Sequence, residues 1–525
     1  MPMLTKSLPI AATLALAVLV QAAQAQNLTQ QLADPSFTVS GYVVEGDNPL
    51  GEVQAQAALA PFIGTHQGIE RLQQAANALE ELLRQKGFGF YRVVLPPQDI
   101  GGVIRLQMVK FTVGTVEVKG NQFFSNDNIL RSVPQLVAGQ SPNTSDLARD
   151  LALANENPSK RANVTFKQGQ LADTVDATVD VKDSRTVSGF VLLNNSGTTE
   201  TGHGRLTLGA SHANLFDLDH QATVTYTTSP TKPGRVHQWG GYYRAPLYQL
   251  GAMVTGYYTQ SSVSSGIVAN SINVTGRGDF AGVAISYYLA PRGDYRSYLT
   301  LSLDDKHFRN DKITTVVGGN VLFPNYRTRP LMLGYNGRFQ KQWGRWGYNV
   351  EYAHNLGSGG GNNDASYAAN RAGASTNWNA LRYGVDLAMA MPANWLFMGR
   401  LRGQDSSDGL VPGEQFGVGG AQSVRGLPER VLAGDSGHSG NLEFWSPALA
   451  ENLRMLVFYD FGAIRKRNDA ILPSASVTSF GLGVRWSMGD NLSASLDVGH
   501  VLSGRSKLPA GTSRDRAHLN VSYQF

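Results

Sequence analysis

From residue 187 to the C-terminus, apolar and polar side chains alternate with a period of two, and this pattern restricts the fold more than any other feature. It is clearest in the last seven residues, Leu-Asn-Val-Ser-Tyr-Gln-Phe (519–525). A strand with this period has one apolar and one polar face. In a membrane barrel the apolar face meets lipid and the polar face lines a wet lumen. The pattern therefore predicts a transmembrane β-barrel.

Two further properties of the sequence agree with a barrel. Beyond residue 25, no apolar run approaches the roughly 20 residues that a membrane helix requires. Charged residues make up only 16% of the chain, compared with about 25% in an average soluble domain. A membrane location would therefore require strands.

Sixteen candidate strands can be placed in this region. About 340 residues over sixteen strands leave roughly 21 residues for each strand and its connection, which suits membrane strands of 9–11 residues. The strands are expected to begin near Ser188, Gly204, Gln221, Val236, Gly251, Ala281, Arg296, Arg327, Trp346, Trp378, Asn394, Gly440, Asn452, Val477, Asn491 and Ala517.

The lengths of the connections alternate as well. Those after odd-numbered strands are mostly long: 260–279, 308–326, 357–376, 405–439 and 502–516. Those after even-numbered strands are short, such as 290–293, 391–393 and 488–490. Long external loops and short periplasmic turns are typical of outer-membrane barrels. A soluble β-sandwich would explain the period of two but not this rhythm. We therefore predict a 16-stranded antiparallel barrel over residues 187–525, with both of its ends in the periplasm.

The N-terminus has the pattern of an export signal. Lys6 precedes an apolar stretch at 10–20, and Ala23-Gln24-Ala25 supplies the small residues of a cleavage site. We expect residues 1–25 to be a signal peptide, followed by a short segment at 26–35. The chain has no cysteine, which excludes disulfides and thiolate sites. Its net charge of +5 is spread along the sequence, so no basic patch for nucleic acid is expected.

The region between residues 36 and 183 contains an internal repeat. A strand-like run ends at Gly46, and a similar run ends at Gly120. In the first copy, Leu72, Leu79 and Leu83 recur at helical spacing, and two strand-like runs follow. The second copy is expected to have helices near 125–131 and 144–154 and closing strands near 163–167 and 172–181. The pattern predicts two small α+β domains, at 36–111 and 112–183.

The order of strand, helix, helix, strand and strand resembles the POTRA domain. Members of that family capture extended, unfolded polypeptide along an exposed strand edge, by β-augmentation. The resemblance implies a periplasmic binding module in front of the barrel. The alternative is that the two domains act only as spacers.

Three motifs in the barrel region follow in a set order. The loop 405–439 contains Val424-Arg425-Gly426-Leu427, the next strand contains Gly440-Asn441-Leu442-Glu443-Phe444, and the strand after it contains Phe458-Tyr459-Asp460-Phe461-Gly462. Together they resemble the signature of the two-partner secretion transporters of the bacterial outer membrane. The stretches 147–161 and 195–215 are also similar to that family, so the resemblance covers nearly all of the mature chain.

The resemblance implies a mechanism and a set of site residues. The loop folds back into the barrel, and Arg425 meets Asp460, with Phe458 and Gly462 beside it and Glu443 on the neighbouring strand. An arginine fork on a carboxylate in the lumen is a directional anchor for a loop that loses entropy when held in a pore. Val424, Gly426 and Leu427 complete the loop tip. Leu427 stands where the family usually has an aromatic residue, so looser packing of the tip is expected.

The resemblance also implies partners. These are a secreted exoprotein, such as an adhesin or cytolysin, as cargo; outer-membrane lipid; and the barrel-assembly machinery during biogenesis. The transporter is expected to be a monomer that uses no nucleotide, metal or other cofactor and binds no nucleic acid. The pore-plugging helix found at the start of many relatives is expected to be absent, because residues 26–35 are too few.

Three other functions are alternatives: a barrel insertase, a porin and a protease. A barrel insertase of the same superfamily would usually carry more POTRA domains, and a passive porin would need none. Gly434-Asp435-Ser436-Gly437 resembles the nucleophile segment of chymotrypsin-like proteases, but no motif around His203, His212 or His438 completes a triad. A turn is the better interpretation of that segment, and no enzymatic activity is expected.

Overall fold

The computed structural model describes residues 36–263, 266–268, 272–274, 276–310, 324–469 and 471–525. The expected signal peptide at 1–25 and the segment at 26–35 lie outside the described residues, as do parts of the loops 260–279 and 308–326. The described chain divides into two compact units. One runs to Gly114 and includes Gly139–Thr144 and Gly169–Val175, and the other contains Thr115–Ala138, Ser145–Gln168 and Asp176–Phe525.

The first unit contains a small α+β domain. Its strands are β1 (Ser36–Glu45), β2 (Gly64–Gln67), β3 (Tyr91–Val94) and β4 (Gly102–Lys110), and its helices are α1 (Glu52–Leu59) and α2 (Glu70–Gln85). The sheet has the order β2-β1-β4-β3, with β1 and β4 parallel and the two edge pairs antiparallel. The leucines that predicted α2 (Leu72, Leu79 and Leu83) are fully buried in the core of this domain.

The second α+β domain has the strands β5 (Thr112–Lys119), β6 (Lys160–Gln168) and β7 (Thr174–Asp183) in the order β5-β7-β6. Its helices are α3 (Asn126–Arg131), which Ser125 caps, and α4 (Thr144–Ala154). Ile129, Leu147 and Val179 are among the side chains of its apolar core.

The two glycines of the sequence repeat have the same conformation and the same kind of backbone contact. Gly46 ends β1 with a φ of 96°, and Gly120 ends β5 with a φ of 85°. A Cβ atom on Gly46 would lie 2.6 Å from the carbonyl oxygen of Met108, and one on Gly120 would lie 2.4 Å from that of Val181. Each glycine thus allows the first strand of its domain to turn against the domain's last strand. The same packing constraint explains why the two copies share this residue.

Among the described residues, sixteen strands close into an antiparallel barrel, in which the last strand pairs with the first. The three-residue strand β17 (Tyr326–Thr328) precedes β18 (Pro330–Lys341), and both pair with β16 (Tyr295–Phe308), so we count β17 and β18 as one barrel strand. The barrel strands are β8 (Val187–Asn194), β9 (Arg205–Leu215), β10 (His220–Thr228), β11 (His237–Leu247), β12 (Ala252–Ser261), β15 (Gly278–Tyr288), β16 (Tyr295–Phe308), β18 (Pro330–Lys341), β19 (Gly344–Asn355), β20 (Asn379–Ala390), β21 (Leu396–Asp405), β24 (Ser436–Trp445), β25 (Leu453–Arg465), β26 (Ser474–Met488), β27 (Leu492–Ser503) and β28 (Asp515–Gln524).

The remaining elements lie in the connections. They are the hairpin β13 (Gly266–Val268) and β14 (Ile272–Val274), the helix α5 (Asp364–Asn370), the hairpin β22 (Phe416–Val418) and β23 (Leu432–Gly434), and 3-10 turns at Ala60–Phe62, Pro233–Arg235, Tyr248–Leu250, Pro392–Asn394 and Arg505–Lys507.

The barrel confirms the predicted fold class. Each predicted strand start lies within four residues of the observed one, and the largest difference is Gly440 predicted against Ser436 observed. The connections after even-numbered barrel strands are short, and the longest of them is 446–452. No helix in the described part of the chain is both long and apolar enough to cross a membrane.

The two faces of the barrel strands differ in polarity. On β16, Leu299, Leu301 and Leu303 are all exposed on the outer face. The same outward pattern recurs around the barrel, at Val224, Trp239, Tyr258, Val283, Ile285, Leu331, Leu333, Val350, Tyr352, Leu381, Leu442, Val457, Tyr459, Leu482, Leu496, Val498 and Leu519. Inward positions carry polar groups such as Thr225, Asp460 and Asp497. The outer belt meets lipid, and the lumen is polar.

A buried polar network joins the second soluble domain to the barrel within the second unit. Lys160 Nζ forms a salt bridge with Asp219, in the turn after β9, and both side chains are almost fully buried. Asp219 also accepts hydrogen bonds from Tyr248 Oη at 2.6 Å and from Asn157 Nδ2 at 3.1 Å. Asn128 Oδ1 accepts a hydrogen bond from Lys160 Nζ at 3.0 Å. Asn157 Nδ2 also donates to the backbone carbonyl of Ala213 at 2.7 Å, and this contact brings together the stretches 147–161 and 195–215 that resemble the same family.

Candidate functional site

The segment between β21 and β24, which we call the inward loop (residues 406–435), is folded against the inner face of the barrel. Its middle forms the hairpin of β22 and β23, whose strands pair from Phe416 with Gly434 to Val418 with Leu432. The tip of this hairpin carries the Val424-Arg425-Gly426-Leu427 motif. The structure places all four residues in contact with barrel strands or within the packed tip, and none of their side chains is exposed.

Arg425 and Asp460 form a bidentate ion pair. Arg425 Nε donates to Asp460 Oδ2 and Nη2 donates to Oδ1, each at 2.8 Å, and the backbone N–H of Arg425 donates to Oδ2 at 3.0 Å. The side chain of Asp460 is fully buried and that of Arg425 is 2% exposed. This fork geometry is the strongest form of side-chain ion pair and fixes direction as well as distance.

Two more carboxylates face the same guanidinium. Glu443 Oε1 lies 2.7 Å from Arg425 Nη1, and Asp497 Oδ2 lies 3.6 Å from it. Asp497 is shared with Arg485, through hydrogen bonds of 2.7 and 2.9 Å. The wall around the loop tip thus holds three carboxylates and one arginine of its own. Arg425 brings a second positive charge into a wall that is otherwise net negative.

Phe458 lies beneath the guanidinium. Its ring centroid is 3.5 Å from Arg425 Cζ, and the ring is almost fully buried. A guanidinium stacked on an aromatic face gains a cation–π interaction, which is stronger where water is excluded. Phe458 therefore sets the plane of the fork while Asp460 sets its direction.

The loop approaches the wall so closely that glycines are required on both sides. A Cβ atom on Gly462 would lie 2.5 Å from Val418 Cγ1 and 3.0 Å from Val424 Cγ2. On the next wall strand but one, a Cβ atom on Gly499 would lie 2.6 Å from the backbone nitrogen of Gly426. Gly426 itself has a φ of 91° and donates its N–H to His518 Nε2 at 3.1 Å. Small residues in the wall make room for the loop backbone.

Apolar packing encloses the rest of the tip. Val424 and Leu427 are fully buried, in a cluster with Val418 from the hairpin and with Ile464 and Val477 from the wall. Leu427 stands where the family that the motifs resemble usually has an aromatic residue, and no part of its side chain is exposed to solvent. The tip is held by apolar contacts as well as by charge.

Sequence reasoning did not select three residues that complete the site. Asn441 Nδ2 donates to Asp460 Oδ1 at 2.8 Å, His518 accepts from the loop backbone, and Asp497 adds a carboxylate. Asn441 was visible in the quoted Gly440–Phe444 motif. Asp497 and His518 each stand at an inward position of an alternating strand, and an isolated ionisable side chain there is the signal that would have found them.

The segment Gly434–Gly437, which resembles a protease nucleophile segment, takes part in structural contacts. Asp435 is fully buried and forms an ion pair with Arg371, which donates to it from Nη2 at 2.7 Å. Ser436 Oγ donates to Asp405 at 2.9 Å. Within the described residues, no group of three or more His, Asp or Glu side chains is arranged to hold a metal ion. The ionisable groups of this region hold the base of the loop in place.

Comparison with known proteins agrees with this fold. The family described as haemolysin secretion/activation protein ShlB/FhaC/HecB matches residues 174–486, and the ShlB-type POTRA domain matches residues 37–110. The chain is 22% identical to the outer membrane transporter CdiB of Dickeya dadantii, over 90% of this chain and 84% of the relative. It is 19% identical to the heme/hemopexin transporter protein HuxB of Haemophilus influenzae, over 77% of this chain and 71% of the relative.

A solved structure shows the same fold. The structure of CdiB from Escherichia coli superposes with a TM-score of 0.78 at 18% identity, over 97% of this chain and 98% of that one. The closed barrel, the POTRA domain that precedes it in the chain and the loop inside it define an outer-membrane transporter of protein partners. More closely, the chain belongs to the haemolysin secretion/activation protein family ShlB/FhaC/HecB. It is a two-partner secretion transporter, with its barrel in the outer membrane and its POTRA region in the periplasm.

Proposed function

We propose that the chain exports one dedicated exoprotein in an unfolded state, and that the inward loop is the gate of the pore. The observation that carries this proposal is the fork between Arg425 and Asp460. A charge pair buried this completely is stable only while both partners remain in place, because either one left alone would be an unpaired charge. The pair therefore separates two states of the loop, anchored in the lumen and released from it.

The soluble domains supply the cargo side of the mechanism. We assign residues 36–111 and 112–183 to two POTRA domains that hold the unfolded partner before it enters the barrel at 187–525. The edge strands of the first sheet, β2 and β3, offer backbone groups for β-augmentation, which demands little of the cargo's sequence. Residues 1–25 would direct export from the cytoplasm and be removed.

The remaining roles follow from the same proposal. The transporter acts as a monomer, is inserted by the barrel-assembly machinery and catalyses no reaction. Folding of the cargo outside the cell supplies the direction of transport, so neither nucleotide nor metal is needed. The site residues act by holding and releasing the loop: Val424, Arg425, Gly426 and Leu427 on the loop, and Glu443, Phe458, Asp460 and Gly462 on the wall.

A deletion of the gene, complemented with wild-type protein, tests the function. Secreted and outer-membrane proteins are quantified by mass spectrometry in both strains. We expect one large exoprotein to disappear from the medium and cell surface while other barrels keep their levels, and to return on complementation. A joint fall of many barrels would instead identify an insertase, and unchanged export of an expressed candidate cargo would favour a porin.

A further inference from the structure

A second cluster of buried charges lies at the other end of the inward loop, away from Arg425. The segment Leu410–Glu414 lies between β21 and β22 and runs along the barrel wall. Leu410 and Val411 are fully buried, in an apolar cluster with Trp378, which is also fully buried, and with Phe308 and Tyr326. Gly413 donates its backbone N–H to Tyr326 Oη at 3.0 Å. This end of the loop is therefore packed as closely as its tip.

Glu414 is bonded by three side chains of the wall. Its Oε1 atom accepts hydrogen bonds from Thr328 Oγ1 at 2.7 Å and from Lys306 Nζ at 3.2 Å. Its Oε2 atom accepts from Arg382 Nη2 at 2.9 Å. The side chain of Glu414 is only 1% exposed. A buried carboxylate with two cations and a hydroxyl is fully satisfied, and removing its charge would weaken the attachment of the loop to the wall.

Wall and loop are also joined beside this carboxylate. Gln404 Nε2 donates to the backbone carbonyls of Glu414 and Asp435, both at 3.0 Å, so one side chain holds the outgoing and the returning arm of the loop together. Gln404 Oε1 accepts from Arg382 Nε at 3.0 Å. The guanidinium that binds Glu414 is thus positioned by a residue that also grips the base of the loop.

The base and the tip of the loop are fastened to different strands of the barrel. Glu414 is bonded to Lys306 on β16 and to Arg382 on β20. The carboxylates around Arg425 lie on β24 (Glu443), β25 (Asp460) and β27 (Asp497). The loop therefore connects two separate groups of strands, with a glutamate bound to one group and an arginine bound to the other.

We infer that Glu414 is a second anchor of the inward loop, which positions its base and holds the pore closed together with Arg425. This inference rests on the proposed function of the loop as the gate. Opening the pore then requires both ion pairs to break. A residue of this kind acts through the loop and does not touch the cargo.

The two anchors differ in the charges that remain on the barrel wall after the loop withdraws. At the base, Asp304 lies 3.5 Å from Lys306, and Glu351 lies 3.3 Å from Arg382. Two wall cations therefore keep two wall carboxylates when Glu414 withdraws. At the tip, the ion pairs between described residues leave Asp460, Glu443 and Asp497 with one cation, Arg485, when Arg425 withdraws. The base therefore keeps an ion pair for each of its wall cations without the loop, whereas the tip is left with more carboxylates than paired cations.

Single-channel recording of the full chain in planar bilayers tests this anchor without any cargo. The variants are Glu414→Gln, which keeps the shape of the side chain, and Lys306→Gln, which removes the charge from the wall side. Each should raise the fraction of time spent open about tenfold, the ratio that corresponds to about 1.4 kcal/mol. The double variant should open no more than either single variant, because both remove the same pair.

The control is Glu429→Gln, in the same loop. Its carboxylate accepts a hydrogen bond from the backbone N–H of Ala421, within the loop itself, at 3.0 Å. This variant should gate like the wild type. Unchanged gating in both Glu414→Gln and Lys306→Gln, with Arg425→Ala opening the channel, would overturn the second anchor. If Glu414→Gln does not reach the membrane, the gating of Lys306→Gln alone tests the second anchor by the same criterion. A chain that gates as expected but exports nothing would refute the proposed function and support the anchor.

Discussion

Arg425, at the tip of the inward loop, and Asp460, on barrel strand β25, are joined by two parallel hydrogen bonds of 2.8 Å. The backbone N–H of Arg425 adds a third bond to the same carboxylate. One residue of the barrel wall, Asp460, therefore binds both the backbone and the charged side chain of the loop tip. The loop can leave the lumen only when Arg425 and Asp460 each find other partners, so the free energy of this contact favours the anchored state of the loop.

Arg425→Lys tests the fork rather than the charge. Lysine keeps the positive charge but cannot place two parallel N–H groups on Asp460. A hydrogen bond to a charged group contributes about 1.5–3 kcal/mol. The equilibrium ratio of the closed to the open state should therefore fall about tenfold or more. Single-channel recordings should show a larger open fraction than wild type, and a wild-type gating pattern would show that charge alone is enough.

Gly499→Ala tests the close approach of the loop to the wall. The new Cβ would lie 2.6 Å from the nitrogen of Gly426 and 2.7 Å from the carbonyl carbon of Arg425, so the tip must move. We expect export to fall about tenfold, with the barrel still inserted, because displacing the tip breaks the fork. Secreted cargo per barrel measures this effect.

The matched control for that variant is Gly256→Ala, another glycine in a barrel strand. There the nearest atom to a new Cβ is the carbonyl oxygen of Gly282, at 3.9 Å. Export should stay at the wild-type level. An equal loss in both variants would mean that any added methyl group disturbs the barrel, and would remove the argument for Gly499.

Lys160→Met tests the joint between the second soluble domain and the barrel. It leaves Asp219 buried without its cation, although Tyr248 and Asn157 still donate to it. Loss of one partner of a buried pair costs about 3–5 kcal/mol. Hydrogen exchange of the turn 216–219 and of β6 should become faster, and Lys160→Met with Asp219→Asn should restore part of the protection. Unchanged exchange in Lys160→Met would show that the pair does not stabilise the joint.

Asp150 predicts a pH dependence in helix α4. Burial raises the pKa of its carboxyl to about 6, against the opposing effect of Arg149. The folded state therefore binds the proton more tightly than the unfolded chain does, and this helix loses stability as the pH rises through about 4 to 6. Its hydrogen exchange, corrected for the intrinsic effect of pH, should be slower at pH 5 than at pH 7.5, by an amount on the order of 1 kcal/mol.

Asp150→Asn should remove that difference, because asparagine does not titrate. Asp146→Asn, in the first turn of the same helix, is the control: it should keep the pH dependence and shift it to lower pH, because the charge of Asp146 is one of the causes that raise the pKa of Asp150. A pH dependence that survives in Asp150→Asn would assign it to another group.

The barrel could be predicted from sequence because its signal is local. Each strand carries its own alternation, and short turns such as 391–393 mark where one strand ends. Helix α2 was equally clear, because its buried leucines recur on one face. Helix α1 was not located, since its residues Glu52–Leu59 have almost no polar and apolar division and bury only Ala55 and Leu59. The four-residue strand β2 was too short to show a period.

The site was predictable to a lesser degree. The motifs that contain Arg425 and Asp460 were visible because of their resemblance to a known family, and the structure brings the two residues together. Glu414 and Lys306 were not found, because they are 108 residues apart in the chain and nothing local marks them as partners. Contacts across a lumen depend on strand order and loop path, which periodicity does not encode.

Export by Arg425→Ala, Asp460→Ala and the double variant tests the central claim most directly. The amount of cargo in the medium is divided by the amount of folded barrel in the outer membrane, with Arg402→Ala, a half-exposed arginine of β21 that pairs with Asp386, as the control. We predict that both single variants insert normally, export sharply less than wild type because the loop can no longer alternate between its anchored and released states, and are not worsened in combination. Normal export from both single variants, at normal barrel levels, would contradict the account.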